Sequence, residues 1–185
     1  KNILFKQFNK NKINKKNKGA IIGGGFLGLV LSSISKYYNI TNFLLYEKNN
    51  FKIKFGKKNK LNIKSNLHLN RDISNKFDWI VETSGDPKSY LKSIEIVKPG
   101  GSIICMSNIS NELLLDSKII SLIVRKELQL IGSWNSNYNN KDNEWKESFN
   151  LIQKGVYPSK FITNEIVNAN RVKLAVDLLG KSTKQ

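Results

Sequence analysis

The sequence predicts an α/β protein, a parallel sheet doubly wound with helices over both faces. Short, nearly continuous apolar runs recur at Ala20–Ile22, Phe43–Tyr46, Phe77–Val81, Ser102–Met106 and Leu128–Ile131. Strands without polar alternation are those buried on both faces. Between the runs lie stretches with apolar residues at helical spacing, and glycine or proline clusters separate the two kinds of segment.

Taken in order, Ala20–Ile22 is the first strand. Phe26–Tyr38 is the first helix, with Leu27, Val30, Leu31 and Ile34 on one face and Asn39 as a candidate cap residue. Phe43–Tyr46 is the second strand, and Asn50–Lys58 a short basic helix with Phe51 and Phe55 at i, i+4. A weak strand is expected near Leu67–Leu69, then a buried one at Phe77–Val81. Pro87 suits the first turn of a helix bearing Tyr90, Leu91, Ile94 and Val97, which Pro99-Gly100-Gly101 stops. Asp86 is placed to cap it. Asp116 or Ser117 caps a helix carrying Ile119, Leu122 and Ile123, and Leu128–Ile131 follows as a strand. Two late helices are expected, one with Trp145, Phe149 and Ile152 in a stripe and one with Val172, Ala175, Val176 and Leu179, ended by Gly180. Both stripes are expected to be packing surfaces. By this division residues 1–18 are a polar remnant, 19–135 one domain, and 136–185 a C-terminal set of helices with a return segment.

Composition narrows the function. The apolar share of 39% is enough for a core, and no apolar run reaches the ~20 residues of a membrane span. The lysine-rich start lacks the apolar segment of a signal peptide. One cysteine, Cys105, excludes an internal disulfide and fits the cytoplasmic location expected here. The net charge of +17 invites a nucleic-acid reading. Its lysines, however, are interspersed with asparagine along the chain, and the basic run Lys10–Lys18 holds no aromatic residue on which a base would stack. A solvated surface is the simpler account, and neither a nucleic acid nor a membrane is expected as partner.

The chemistry concentrates where the first strand ends. Gly23-Gly24-Gly25-Phe26-Leu27-Gly28 is a G-x-G-x-x-G between a strand and a helix. The next strand closes on an acid, Glu47, 19 residues beyond Gly28. Strand, glycine turn, helix, strand and acid is the layout of a dinucleotide site in a Rossmann sheet. In it Gly23 permits the tight turn, Gly25 admits a pyrophosphate, and Gly28 lets the helix pack closely. The amides at Phe26 and Leu27 then face the phosphates with the positive helix end. Glu47 is positioned for the ribose hydroxyls and would repel a 2′-phosphate, so NAD is expected over NADP. The neighbouring cation Lys48 would tolerate that phosphate.

Further segments are similar to one family. Phe77-Asp78-Trp79-Ile80-Val81-Glu82-Thr83-Ser84-Gly85 matches F-D-x-x-x-E-x-x-G, and Lys98-Pro99-Gly100-Gly101 matches a helix-ending K-P-G-G. Arg125-Lys126-Glu127-Leu128 with Gly132-Ser133-Trp134 matches R-K-E-L-x-x-x-G-S-W, followed by a Trp-containing helix. With Phe161-Ile162-Thr163, these segments resemble the nucleotide-binding domain of medium-chain, zinc-type alcohol and polyol dehydrogenases, closest to the galactitol-1-phosphate dehydrogenase-like branch, over residues 18–181. The resemblance implies NAD and hydride transfer to or from a polyol or sugar phosphate. It also implies assembly into a homo-oligomer through an edge strand, for which Leu128–Ile131 is the candidate. It adds Thr83, Ser84, Gly85, Met106, Ser107 and Asn108 as the walls of the nicotinamide crevice, with Ser133 and Trp134 bordering it.

Zinc is implied only for the family's N-terminal catalytic domain. One histidine, His68, and one cysteine, Cys105, stand 37 residues apart and cannot supply a three-ligand set. With its opening at Lys1, the chain is therefore expected to be a cofactor-binding fragment lacking the catalytic domain, holding no catalytic residue and turning over nothing alone. Cys105 is read as a small core residue, His68 as a surface side chain, and Arg125-Lys126-Glu127 as a solvated junction. A non-catalytic Rossmann sensor of nicotinamide redox state is the alternative, and a basic nucleic-acid-binding protein a remoter one.

Overall fold

The computed structural model describes residues 16–66, 75–134, 143–156 and position 173. Strands β1 (Gly19–Ile22), β2 (Phe43–Glu47), β3 (Ile63–Ser65), β4 (Phe77–Glu82), β5 (Val97–Cys105) and β6 (Gln129–Gly132) form one sheet. Its order is β3-β2-β1-β4-β5-β6, with every neighbouring pair parallel. The helices are α1 (Phe26–Tyr37), α2 (Asn50–Lys58), α3 (Pro87–Ile96), α4 (Ser117–Arg125) and α5 (Glu144–Gln153). This strand order reverses direction between β1 and β4, which opens a crevice at the carboxyl ends of those strands.

Side chains of successive strand residues point to opposite faces, and the core divides accordingly. Ile21, Leu45, Trp79, Val81 and Ile104 pack on one face with Leu29 and Leu31 of α1 and Leu151 of α5. Ala20, Ile22, Tyr46, Ile80 and Ile103 pack on the other with Ile94 and Ile96 of α3, flanked by Ile119, Leu122 and Ile123 of α4. Each fully buried Ile, Leu or Val contributes about 1.5–3 kcal/mol. The doubly wound parallel sheet is thus the observed fold. Among the described residues no helix is long and apolar enough to cross a membrane.

The differences from expectation have local causes. The third strand lies at Ile63–Ser65, next to β2, while Leu67–Leu69 falls outside the described residues. Val97 does not end α3 but starts β5, opposite Phe77, and Lys98–Gly101 are an irregularity inside that strand, since Trp79 next pairs with Ser102. The buried face of α1 is Gly28, Leu31, Ser32 and Ser35 with Leu29, and Leu27 is exposed. Small residues let α1 lie close to the sheet, a pattern that apolar periodicity does not register. In α2 it is Ile53 and Gly56 that are buried, and Phe51 is exposed.

The stripe Trp145, Phe149 and Ile152 is exposed as well. Helix α5 instead attaches through Glu144, Glu147 and Leu151, at i, i+3, i+7, with the Tyr38 hydroxyl donating to Glu147 Oε1 at 2.7 Å. Helix α1 ends as Asn39 enters the left-handed region at φ 60, so that Asn39 and Ile40 N–H close on the Lys36 and Ser35 carbonyls. The stripe at Val172–Leu179 lies outside the described residues apart from Lys173.

Lys126 overturns the solvated reading of its junction. It is buried, and its ammonium donates to the carbonyls of Ile94, Glu95 and Val97 at 3.1, 2.7 and 2.9 Å. Those carbonyls are left open where α3 stops, and a cation is the donor best suited to a helix C-terminus. Burial lowers the Lys126 pKa from its ordinary value, against the opposing pull of Glu95.

Candidate functional site

Strand β1 runs into Gly23, whose φ of +106 turns the chain while its N–H still donates to the Tyr46 carbonyl of β2 at 2.9 Å. The next residue meets the acid at the end of β2. Gly24 N–H donates to Glu47 Oε2 at 2.7 Å, and a Cβ on Gly24 would stand 2.9–3.1 Å from the Glu47 side chain. The other carboxylate oxygen of Glu47 accepts the N–H groups of Lys48 and Asn49 at 2.7 and 2.9 Å. Glu47 is only 6% exposed, so its charge is compensated by three backbone dipoles.

Gly25 is the N-cap of α1 and makes no side-chain cap; a Cβ there would meet nothing within 4 Å. Leu29 N–H closes the first helical bond, on the Gly25 carbonyl at 3.0 Å. The preceding amides of Phe26 and Leu27 have no intrahelical acceptor and point out of the positive helix end. At Gly28 the helix touches the turn itself: a Cβ would lie 1.8 Å from the Gly23 carbonyl oxygen. Thr83, just beyond β4, bridges the same turn, its hydroxyl donating to the Ile22 and Gly23 carbonyls at 2.9 and 3.1 Å.

A second strand-end glutamate shapes the opposite wall. Glu82 is 2% exposed and accepts Ser84 N–H at 3.0 Å, the Ser84 hydroxyl, and Gly85 N–H at 3.1 Å. Gly85, at φ +68, comes so close to Asn108 that a Cβ would lie 2.4 Å from its carbonyl oxygen. Met106 N–H donates to the Glu82 carbonyl and Ser133 N–H to that of Cys105, both at 2.9 Å. The Cys105 thiol is half-buried and paired with the Tyr90 hydroxyl; burial pushes its pKa up, with the nearby Glu82 charge adding to this and Tyr90 opposing it. Burial of this kind disfavours the thiolate.

No known family profile matches the chain. Among curated proteins it is 33% identical over 75 residues to galactitol 1-phosphate 5-dehydrogenase of Escherichia coli K12, a match taking in 40% of this chain and 21% of that one. The crystal structure of galactitol-1-phosphate dehydrogenase from Escherichia coli superposes with a TM-score of 0.65 at 23% identity, over 82% of this chain and 46% of the other. A structure described as a short chain alcohol dehydrogenase from E. coli CFT073, crystallised with NADH, gives 0.73 at 16% identity, over 94% and 51%. The fold is one that these dehydrogenases share. The chain resembles the zinc-type, medium-chain enzymes, and it spans about half the length of the solved structures it matches.

In this dehydrogenase-like chain, Gly23, Gly24, Gly25, Gly28, Glu47 and Thr83 form one bonded unit at the ends of β1, β2 and β4. Ser84, Gly85, Ser107 and Asn108 form an adjoining wall with Met106. Ser133 follows at the end of β6, and Trp134 is 70% exposed. Lys48 is exposed and reaches away from Glu47, to Asp86. Asp86 does cap α3, accepting Lys88 N–H at 3.0 Å.

Sequence reasoning missed Gly24, whose lack of a side chain makes room for Glu47, and Glu82, which organises the Ser84–Gly85 loop. The middle glycine of a triplet and the acid within F-D-x-x-x-E-x-x-G were the available signals. His68 lies outside the described residues. Among the described residues no three His, Cys, Asp or Glu side chains are grouped to hold a metal ion.

Proposed function

We propose that this chain is the NAD-binding part of a zinc-type dehydrogenase that oxidises a polyol or sugar phosphate, galactitol 1-phosphate being the reference substrate. The observation that carries this is the open space at Gly25, set between the free amides of α1 and the Gly24–Glu47 latch. A cofactor pyrophosphate fits where a Cβ would otherwise stand, and the Phe26 and Leu27 N–H groups would bind it.

Glu47 has about four acceptor sites on its two oxygens. Three are taken by backbone donors, which leaves one toward a ribose hydroxyl and none suited to a phosphate. Thr83, Ser84, Gly85, Met106, Ser107 and Asn108 would line the nicotinamide half, with Ser133 and Trp134 at its border. NAD, when bound, supplies the hydride acceptor, and this chain's share is orientation and exclusion of water. Residues 19–135 would be the cofactor domain and 136–185 the return toward a catalytic domain that carries zinc. The exposed edge strand β6 would join a second copy in a homo-oligomer.

Titration calorimetry of the chain with NAD and NADP, beside Glu47→Ala, tests this reading. NAD is expected to bind more tightly than NADP, and the variant to weaken NAD and narrow the gap. Unchanged preference would remove Glu47 from the account, and binding of neither nucleotide would refute the site. Zinc-dependent oxidation of galactitol 1-phosphate by this chain alone would show that it is more than a cofactor part.

A further inference from the structure

Lys48 follows Glu47 directly, yet its ammonium does not stay beside that carboxylate. Its backbone N–H is pinned to Glu47 Oε1 at 2.7 Å, and its side chain crosses from the end of β2 to the start of α3. There the ammonium stands 3.5 Å from Asp86 Oδ2, while Asp86 Oδ1 keeps its capping bond to Lys88 N–H. The Lys48 side chain is 74% exposed, so no packing dictates this direction. A lysine stem at this position has ample reach back toward the Glu47 end of β2, where the second ribose carbon of an adenosine would lie. Its partner there is the Asp86 carboxylate.

We propose that Asp86 is a specificity-determining residue for the cofactor, acting through Lys48. By holding that ammonium across the mouth of the crevice, it withholds from a ribose 2′-phosphate the cation adjacent to Glu47. Exclusion of NADP then has two parts, repulsion by Glu47 and removal of Lys48. This rests on the nucleotide-site reading of the previous subsection. Asp86 touches no nucleotide on this account and is a positioning residue.

The test is calorimetry with NAD and NADP on the native 185-residue chain, Asp86→Asn, and the double variant Asp86→Asn/Lys48→Met. Asparagine caps a helix as well as aspartate does, so α3 keeps its start. Asp86→Ser, also a good cap, serves as a second version, and a thermal melt checks that each folds. Asp86→Asn is expected to raise NADP affinity relative to NAD by about fivefold, the ceiling for an exposed ion pair. Adding Lys48→Met should abolish that gain, and high salt should shrink it.

An unchanged NADP-to-NAD ratio in both Asp86 variants would overturn the inference. So would a gain that persists in the double variant, since the carboxylate would then act directly on the nucleotide. Failure of the native chain to bind either nucleotide is a different result: it refutes the site itself and removes the basis of this inference.

Discussion

Replacing Gly28 by alanine separates two opposing effects whose sizes can be compared. Alanine favours a helix over glycine by about 1 kcal/mol, so propensity alone predicts a more stable protein. The structure predicts the reverse. The new Cβ would sit 1.8 Å from the Gly23 carbonyl oxygen and 3.3 Å from Thr83 Oγ1, where ordinary contact begins near 3.4 Å. The start of α1 or the turn must therefore give by more than an ångström.

That oxygen cannot move alone, because it accepts the Thr83 hydroxyl and belongs to the residue whose N–H is bonded to Tyr46. Overpacking of this kind costs about 1–3 kcal/mol, and each hydrogen bond lost adds about 1. Net of the propensity gain, Gly28→Ala is expected to lose about 2–3 kcal/mol. For a chain of this length that is a fall in Tm of roughly 5–10 °C by calorimetry.

Gly25→Ala is the matched control. Its Cβ meets nothing within 4 Å, and its φ of −76 suits alanine, so the free protein should lose at most about 1 kcal/mol through a poorer N-cap. Its NAD affinity should nonetheless fall about tenfold or more, as a methyl group occupies the pyrophosphate space. A Gly28→Ala protein with native or higher Tm would refute the reasoning, because propensity would then have outweighed the contact.

Lys126→Met should cost about 2–3 kcal/mol in urea unfolding, since three carbonyls at the end of α3 lose a charged donor. Burial holds the native Lys126 pKa below its unfolded value of 10.5, so the unfolded chain binds more protons between the two. Native stability relative to the variant should therefore rise with pH through that window. At the start of β4, burial raises the Asp78 carboxyl, but it is outweighed by bonds from Lys98 at 2.8 Å and Lys18 N–H at 2.7 Å, with Asn17 and the Lys98 charge adding, so its pKa is lowered from 3.8. The native state gains from this carboxylate above pH 3.8 and loses the gain as pH falls through the lowered value. Asp78→Asn should cost about 1 kcal/mol at neutral pH and show a flatter acid limb in pH-dependent melts.

Much of the architecture was legible in the chain because it rests on local rules. The all-apolar strands could be buried only on both faces, which requires helices above and below a parallel sheet. Pro87 after Asp86, and Asp116 before Ser117, marked two helix starts through chemistry confined to a few residues. The glycine turn, the helix after it and the acid at Glu47 were visible for the same reason.

Contacts between distant segments were not legible. Lys126 looks like any surface lysine until the open carbonyls of α3 arrive above it. Glu47 looks like a free ribose acceptor until Gly24 meets its carboxylate. Lys48 looks like its neighbour's counter-ion until Asp86, 38 residues away, is found paired with it. The Trp145–Ile152 stripe promised packing, but α5 docked through Glu147 and Leu151, because Tyr38 and the sheet core offered partners to that face. Sequence by itself determined most of the described strands and helices, though not β3 or the start of β5, and the place of the glycine turn, since periodicity and backbone sterics act within a few residues. Only tertiary structure decided which charges are compensated, since that depends on which backbone dipoles and side chains the fold brings within about 3 Å of each other.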